Sequence, residues 1–288
     1  MNLTHENKRR VTTAVLLAAG TGSRLYPLTK KEPKCLTMVN GRPILERLIS
    51  NLNAHGFKRL IVVTGHLENC IRNFLGNQSA GIKIEYVFSP KYKTTNNIYS
   101  LWMARKKIKE SFLLIESDLV FDNTLLSDML YPDRIAAALL QPWMNGTCVT
   151  VNKKNMVNAF LSDTTELLGV NKYKTVNIYT LSLKSWVKIL KILNKYISAG
   201  KVNDYYEKVF ADMVIDGNLD FEKVSFDHKP WYEIDNQKDL AQAEKLFPHK
   251  SHALSGIINT HEPKKNPIGV LIPPVISHDT GGVLNVAK

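Results

Sequence analysis

Three groups of residues in this 288-residue chain have the types and spacing to do chemistry. The first is Gly20-Thr21-Gly22, followed by Arg24 and then Pro33-Lys34. A glycine turn leaves backbone N–H groups free to face an anion, and two cations on such a loop suit a polyphosphate. It is not the dinucleotide fingerprint, which needs glycine where Leu25 stands, nor a Walker loop, which needs Gly-Lys-Ser/Thr. The second group is Glu116-Ser117-Asp118 at the end of the apolar run FLLIE, and the third is Glu233 and Asp235 within KPWYEIDNQKDL. Carboxylates on separate strand ends, Asp118 and Asp235, are what a phosphate-bound Mg2+ needs. The competing reading makes Asp235 or Asn236 a helix N-cap.

Two polar clusters could recognise the rest of a ligand. Thr94, Thr95, Asn96 and Asn97 precede an apolar helical pattern; capping uses one or two of them and leaves others for a base or ribose. Asn203, Asp204, Tyr205 and Tyr206 open a later helix, where rings beside an acid suit an ammonium group, or where the tyrosines are simply core behind a cap. Lys34 is read as solvated, so that replacing it leaves the fold intact.

These residues need a scaffold. Buried or alternating strands are expected at 13–19, 59–64, 82–88 and 112–116, with helices at 44–55, 67–75 and 97–107 between them. That alternation predicts an α/β fold, Rossmann-like, with a mostly parallel central sheet flanked by helices. The glycine turn and Asp118 then fall at carboxyl ends of strands, where open α/β sheets bind ligands. The second half is less regular, a small substrate-binding insertion with strands expected at 135–140, 148–151, 175–181, 224–226 and 231–234. Helices are expected there at 184–198, 204–215 and 237–246. Two segments follow: a domain over 1–247 and a linker or incomplete piece over 248–288, rich in Pro, Gly and His without period. The spacing of His249, His252, His261 and His278 fits no metal-ligand pattern.

Composition narrows the class. At 44% hydrophobic and 22% charged residues the chain can build a core, and its formal net charge of +12 favours anionic partners. The basic residues are dispersed and no nucleic-acid recognition motif appears, which argues against a nucleic-acid-binding module, the reading of a different class. Three separated cysteines, Cys35, Cys70 and Cys148, point to a reducing compartment, and no signal-like or membrane-length apolar run is present. A cytoplasmic protein is expected, with no nucleic-acid or membrane partner.

Leu17-Ala18-Ala19-Gly20-Thr21-Gly22-Ser23-Arg24-Leu25 with Pro33-Lys34 resembles the signature of the sugar-phosphate-type nucleotidyltransferases. Asn96-Asn97-Ile98-Tyr99-Ser100-Leu101 and Tyr232-Glu233-Ile234-Asp235 resemble motifs of the small cytidylyltransferases that activate phosphocholine or 2-aminoethylphosphonate with CTP. The resemblance covers about residues 12–247. It implies a CTP-dependent enzyme in which Leu17 to Ser23 cradle the nucleotide, Arg24 and Lys34 hold phosphates, and Asp118 and Asp235 bind Mg2+. Glu116 stands where the family often has a first aspartate. Ser89, Thr95, Asn97 and Ser100 are expected on the nucleotide by position. Asn96, Asn177, Asn203, Asp204, Tyr205, Tyr206 and Glu233 are expected on the acceptor. The acceptor favoured is 2-aminoethylphosphonate, with phosphocholine as the alternative and a sugar 1-phosphate as a further one. The trailing segment resembles the junction of fused phosphonate-pathway proteins, which implies an aminotransferase domain as fused or separate partner. A homodimer is compatible with the family.

Overall fold

Strand β1 (Thr13–Ala18) is buried along its whole length. Ala14, Leu16 and Ala18 pack on one side of it, Val15 and Leu17 on the other. A strand buried on both faces belongs at the centre of a sheet covered on both sides. In the computed structural model, which describes residues 9–166 and 168–248, that is where it lies. The chain continues through α1 (Ile44–Ala54), β2 (Arg59–Thr64), α2 (Glu68–Leu75), β3 (Ile82–Phe88), α3 (Asn97–Ala104) and β4 (Phe112–Glu116). β2 pairs in parallel with β1, and β3 in parallel with β2. β4 instead crosses back and pairs in parallel with the other edge of β1. The order of strands therefore reverses between β1 and β4, and at such a switch point the loops leaving the two strands splay apart and open a crevice. The loops in question begin at Ala19 and Ser117.

The second half extends the same sheet with antiparallel strands. β5 (Leu119–Phe121) leads to β6 (Arg134–Leu139), β7 (Thr147–Val151), β8 (Val157–Ser162) and β9 (Tyr173–Leu181). β9 lies antiparallel to β4, β6 and β7, so the ten-stranded sheet is parallel in its first half and mixed beyond. Helices α4 (Leu183–Ser198) and α5 (Tyr206–Ile215) cover this part through Trp186, Ile189, Val209 and Phe210. β10 (Glu222–Ser225) runs parallel to β6, and β11 (Trp231–Glu233) pairs with β5 before α6 (Gln237–Leu246). The observed architecture is the α/β arrangement expected. β2, β3, β4 and α6 have the expected bounds, whereas β5 and β8 were not foreseen. β5 is only three residues long, and β8, VNAFLS, follows a polar stretch and has a single buried residue, Val157, so it lacks the buried apolar run that marks the other strands. Among the described residues no helix is long and apolar enough to cross a membrane.

At the edge of the sheet away from the crevice, Glu85 gathers Arg59, Lys83 and Lys107 at 3.0, 3.2 and 3.4 Å. The hydrogen bond from Arg59, helped by Lys83, holds the Glu85 carboxyl down at about 2 against an ordinary 4.5, although burial pushes the other way. A depressed carboxyl contributes stability above its unfolded value and loses it as the pH falls toward the folded one. Glu85→Gln should therefore lower the melting temperature at pH 7. It should also flatten the fall in melting temperature between about pH 4.5 and pH 2. A series of thermal melts against pH checks this; parallel curves for the two proteins would contradict it.

Candidate active site

The crevice at the β1/β4 switch point is a cleft of about 1070 Å³. Its floor on one side is the loop after β1. Gly22 sits at φ 63°, and a Cβ there would come within 3.1 Å of Thr29 and 3.2 Å of Lys34, so a side chain would be strained in conformation and would crowd both neighbours. A Cβ on Gly20 would meet nothing within 4 Å and would project into the opening. Thr29 donates from Oγ1 to the Gly22 carbonyl at 2.7 Å and holds the turn closed. Gly65 brings the β2 loop against this one: a Cβ there would lie 2.6 Å from the Ala19 carbonyl oxygen.

Opposite the loop stand three carboxylates. Asp118 lies two residues past the end of β4; Glu233 ends β11, which β5 holds beside it, and the Ile234 N–H donates to the Asp118 carbonyl at 3.0 Å. Asp235 comes next. One oxygen from each of Asp118, Glu233 and Asp235 lies within 4.8 Å of the others, the only such cluster among the described residues. The N-cap alternative for Asp235 is resolved by its neighbour. Asn236 caps α6 in a capping box with Asp239, whose carboxylate accepts from the backbone N–H groups of both Asp235 and Asn236. Asp235 is thereby held in place with its own side chain free to face the cleft. Asn236→Ala should cost about 1 kcal/mol of stability, measurable by urea unfolding. An unchanged midpoint would show that the cap is not needed.

Lys34 lies between the carboxylates. Its Nζ donates to Asp118 Oδ2 at 2.7 Å and to Asp235 Oδ1 at 2.8 Å, and Arg24 reaches the same Asp235 oxygen at 2.7 Å. Arg24 is 71% exposed, but the Lys34 side chain is only 14% exposed, which corrects the expectation of a solvated lysine. Burial alone would pull the Lys34 ammonium down; the two aspartates outweigh it and hold the group above its ordinary value. Burial likewise pushes Asp235 up, and Lys34 with Arg24 keeps it below the usual range. Both sit where an incoming polyanion would meet them.

The other end of the cleft is built on β9 and α5. β9 carries an irregularity between Thr175 and Tyr179, where Asn177 takes φ 58°. A strand residue in that region is a bulge that re-aims its side chain. Here the Asn177 amide turns into the cleft and donates to Glu233 Oε1 at 3.2 Å. Lys174, 4% exposed, donates to Glu233 Oε2 at 3.2 Å and to the Thr175 carbonyl. Burial pushes Glu233 up and Lys174 offsets part of that. From α5, Glu207 lines the cleft although it is only 7% exposed, and burial pushes its carboxyl up to about 7. Burial, with Asp118 and Glu207 nearby, also raises Glu116 well above the ordinary carboxyl range.

The cleft collects most of the residues expected at the nucleotide and acceptor. Leu17, Ala19 to Arg24, Lys34, Thr95, Asn96, Asn97 and Ser100 line it, as do Asn177, Asn203, Asp204, Tyr205 and Glu233. Three expected residues do not. Ala18 packs into the core on the side of β1 opposite Leu17. Ser89 is fully buried beyond β3, its N–H donating to Thr64 and its hydroxyl without a partner. Tyr206 points into an aromatic core with Tyr179 and Phe210, so the core reading of the two tyrosines holds for this one, whereas Tyr205 stays at the cleft. Several polar groups of the 94–97 cluster are already committed. Asn96 caps α3, and Thr95 donates to the Lys91 carbonyl at 2.8 Å. Asn97 donates to Glu116 at 3.2 Å while accepting from the Tyr206 N–H at 3.1 Å, tying α3 to α5. Lys174 and Glu207 were not foreseen. Glu207 follows the Asn203–Tyr206 stretch directly, whereas nothing in the spacing of YKTVNIYTL marks Lys174. Residues 249–288, with His249, His252, His261 and His278, lie outside the described residues.

Residues 13–154, just under half of the chain, match the family model described as nucleotidyl transferase, and this region holds the glycine turn, Lys34 and Asp118. Among curated proteins it is similar to the CMP-5'-(3-aminopropyl)phosphonate synthase of Streptomyces rubellomurinus. The two are 31% identical over 244 residues, 81% of the present chain and only 38% of that protein. It is also similar to the choline-phosphate cytidylyltransferase of Streptococcus pneumoniae, 24% identical over 252 residues, 83% of this chain and 99% of that one. The solved structure of the CTP:phosphocholine cytidylyltransferase from Streptococcus pneumoniae superimposes with a TM-score of 0.71 over 83% of this chain and 99% of the other, at 24% identity. That likeness shows the shared Rossmann-like fold.

Proposed function

We propose that the chain transfers CMP from CTP to 2-aminoethylphosphonate, giving the CMP-linked phosphonate and pyrophosphate. The observation that carries the reading is the facing of two elements across the switch-point cleft. A glycine loop with Arg24 and Lys34 stands against the Asp118, Glu233 and Asp235 carboxylates. Cationic groups beside a loop of open backbone suit the triphosphate, and the similarity to proteins named for CMP-phosphonate synthesis and choline-phosphate cytidylyl transfer supports CTP as the donor. An acceptor oxygen attacks the α-phosphorus; a new P–O bond forms, the bond to the β-phosphate breaks, and its electron pair leaves with pyrophosphate. The second pKa of a phosphate is about 6, so the nucleophile is ionised at neutral pH and no general base is needed. What the protein supplies is positioning and charge neutralisation. Arg24 and Lys34 would exchange their carboxylate partners for phosphate oxygens.

The carboxylates fit a divalent cation. All donors are hard oxygens, and Asp118 Oδ1 is buried with no hydrogen-bond partner. Asp118 and Asp235, with Glu233 beside them, would hold Mg2+, which when bound neutralises charge on the nucleotide phosphates. For the acceptor, the loss of Tyr206 to the core leaves Tyr205, 60% exposed, as the ring of that pair at the cleft. Asn177, Asn203, Asp204 and Glu207 offer oxygens there. A primary ammonium has three N–H donors for such oxygens, whereas a quaternary one prefers ring faces. Tyr92 and Phe160 also line the cleft and favour phosphocholine as the second reading. Pyrophosphate release from CTP, ATP and UTP with 2-aminoethylphosphonate, phosphocholine and glucose 1-phosphate tests the reading. Release with CTP and the aminophosphonate is expected. Release only with phosphocholine or the sugar phosphate would overturn the acceptor, and a preference for ATP or UTP would overturn the nucleotide.

A further inference from the structure

Several carboxylate oxygens in the cleft already have a partner. Glu233 accepts from Asn177 on one oxygen and from Lys174 on the other. Asp235 holds Arg24 and Lys34, Asp118 Oδ2 holds Lys34, and Glu116 Oε1 accepts from Asn97. Two buried oxygens of the cleft carboxylates have no partner: Asp118 Oδ1 and Glu207 Oε2. The first belongs to the carboxylate cluster. The second belongs to no such cluster among the described residues, and it lies on α5, at the end of the cleft away from the glycine loop. An isolated buried carboxylate oxygen is costly unless something donates to it. Lys174 and Asn97 both stand near enough to draw the Glu207 carboxyl down, but neither bonds Oε2: the Lys174 ammonium donates to Glu233 and the Thr175 carbonyl, and the Asn97 amide to Glu116.

We propose that Glu207 determines acceptor specificity by accepting a hydrogen bond from the primary ammonium of a small amino-alkyl phosphonate or phosphate. This rests on the cytidylyl-transfer reading and goes beyond it in assigning the contact that separates a primary from a quaternary ammonium. A trimethylated nitrogen carries the same charge but no N–H, so it would leave Glu207 Oε2 unbonded. An uncharged alkyl phosphonate would leave it unbonded as well. Each should bind more weakly than the primary amine, and for a single charge-assisted hydrogen bond the difference is about 10- to 100-fold.

Calorimetric titration of the full chain with Mg2+ and α,β-methylene-CTP present provides the test, because it does not depend on turnover. The probes are 2-aminoethylphosphonate, its N,N,N-trimethyl analogue and ethylphosphonate. The wild-type protein should prefer the primary amine over both by about 10- to 100-fold. Glu207→Met, which removes the acceptor oxygens at similar length, should abolish that preference while leaving the affinity for ethylphosphonate unchanged. A preference that survives in Glu207→Met overturns the proposal, as does weaker binding of all three probes in that variant, the mark of a merely structural residue. Should the variant not fold, the wild-type comparison still decides: equal affinity for the two ammonium compounds, or no binding of any probe, overturns it. Pyrophosphate release is measured separately. A Glu207-dependent preference with no transfer from any nucleotide would overturn cytidylyl transfer and leave the ammonium site standing.

Discussion

Asp118→Asn should lower turnover by about a hundredfold or more, the scale of loss when one preorganised electrostatic group is withdrawn from a site that stabilises developing charge. Asparagine keeps the shape of the side chain and an oxygen for Lys34, which now donates to Asp118 Oδ2 at 2.7 Å. The fold should therefore persist. What disappears is the charge that a divalent cation needs, together with the partnerless carboxylate oxygen Oδ1. Manganese binding followed by electron paramagnetic resonance gives a readout independent of turnover and should weaken in parallel. Full activity in a folded Asp118→Asn protein would remove the carboxylate cluster from the chemistry. Lost activity with unchanged manganese binding would move the cation elsewhere.

Lys34→Met carries the second large effect, and it acts on both stability and activity. In the structure Lys34 neutralises two aspartates that share a mostly buried site. Its removal leaves them facing each other, with Arg24 reaching only Asp235. Removing one member of a buried ion pair costs about 3 kcal/mol, and solvent at the mouth of the cleft should temper this figure. A lower melting temperature is expected, partly restored by added Mg2+ if the cation takes up the exposed charge. Turnover should also fall by about a hundredfold, since the same ammonium would neutralise charge on the departing pyrophosphate. Normal turnover in the variant would show that Lys34 serves the carboxylates alone. An unchanged melting temperature would show that the pair contributes nothing net.

The parallel half of the sheet is legible in the sequence because its strands are short, mostly apolar and ended by turn residues. RLIVVT and FLLIE can bury both faces only inside a sheet, and the glycines after β1 mark where the chain must open. From there the placement of Asp118 opposite the glycine loop follows from strand order. Other features depend on tertiary contacts that local pattern does not carry. Lys34 reads as one more lysine in a basic stretch, and only the approach of Asp118 and Asp235 makes it a buried partner. Tyr205 and Tyr206 are identical in type, and which of them faces the cleft is decided by the packing of α5 on the sheet. Asn177 reaches the cleft through a bulge that the alternation of β9 conceals. Sequence position alone suggests Ser89 for the nucleotide, and β3 instead carries it into the interior.

Phosphorus NMR of the reaction mixture with CTP, Mg2+ and 2-aminoethylphosphonate addresses direct CMP transfer most plainly. A new phosphonate resonance coupled to the α-phosphorus of CMP should grow in step with free pyrophosphate, one for one. Appearance of CMP and pyrophosphate with the phosphonate signal unchanged would mean hydrolysis. An unaltered CTP spectrum would mean that this cleft binds nucleotide without transferring it.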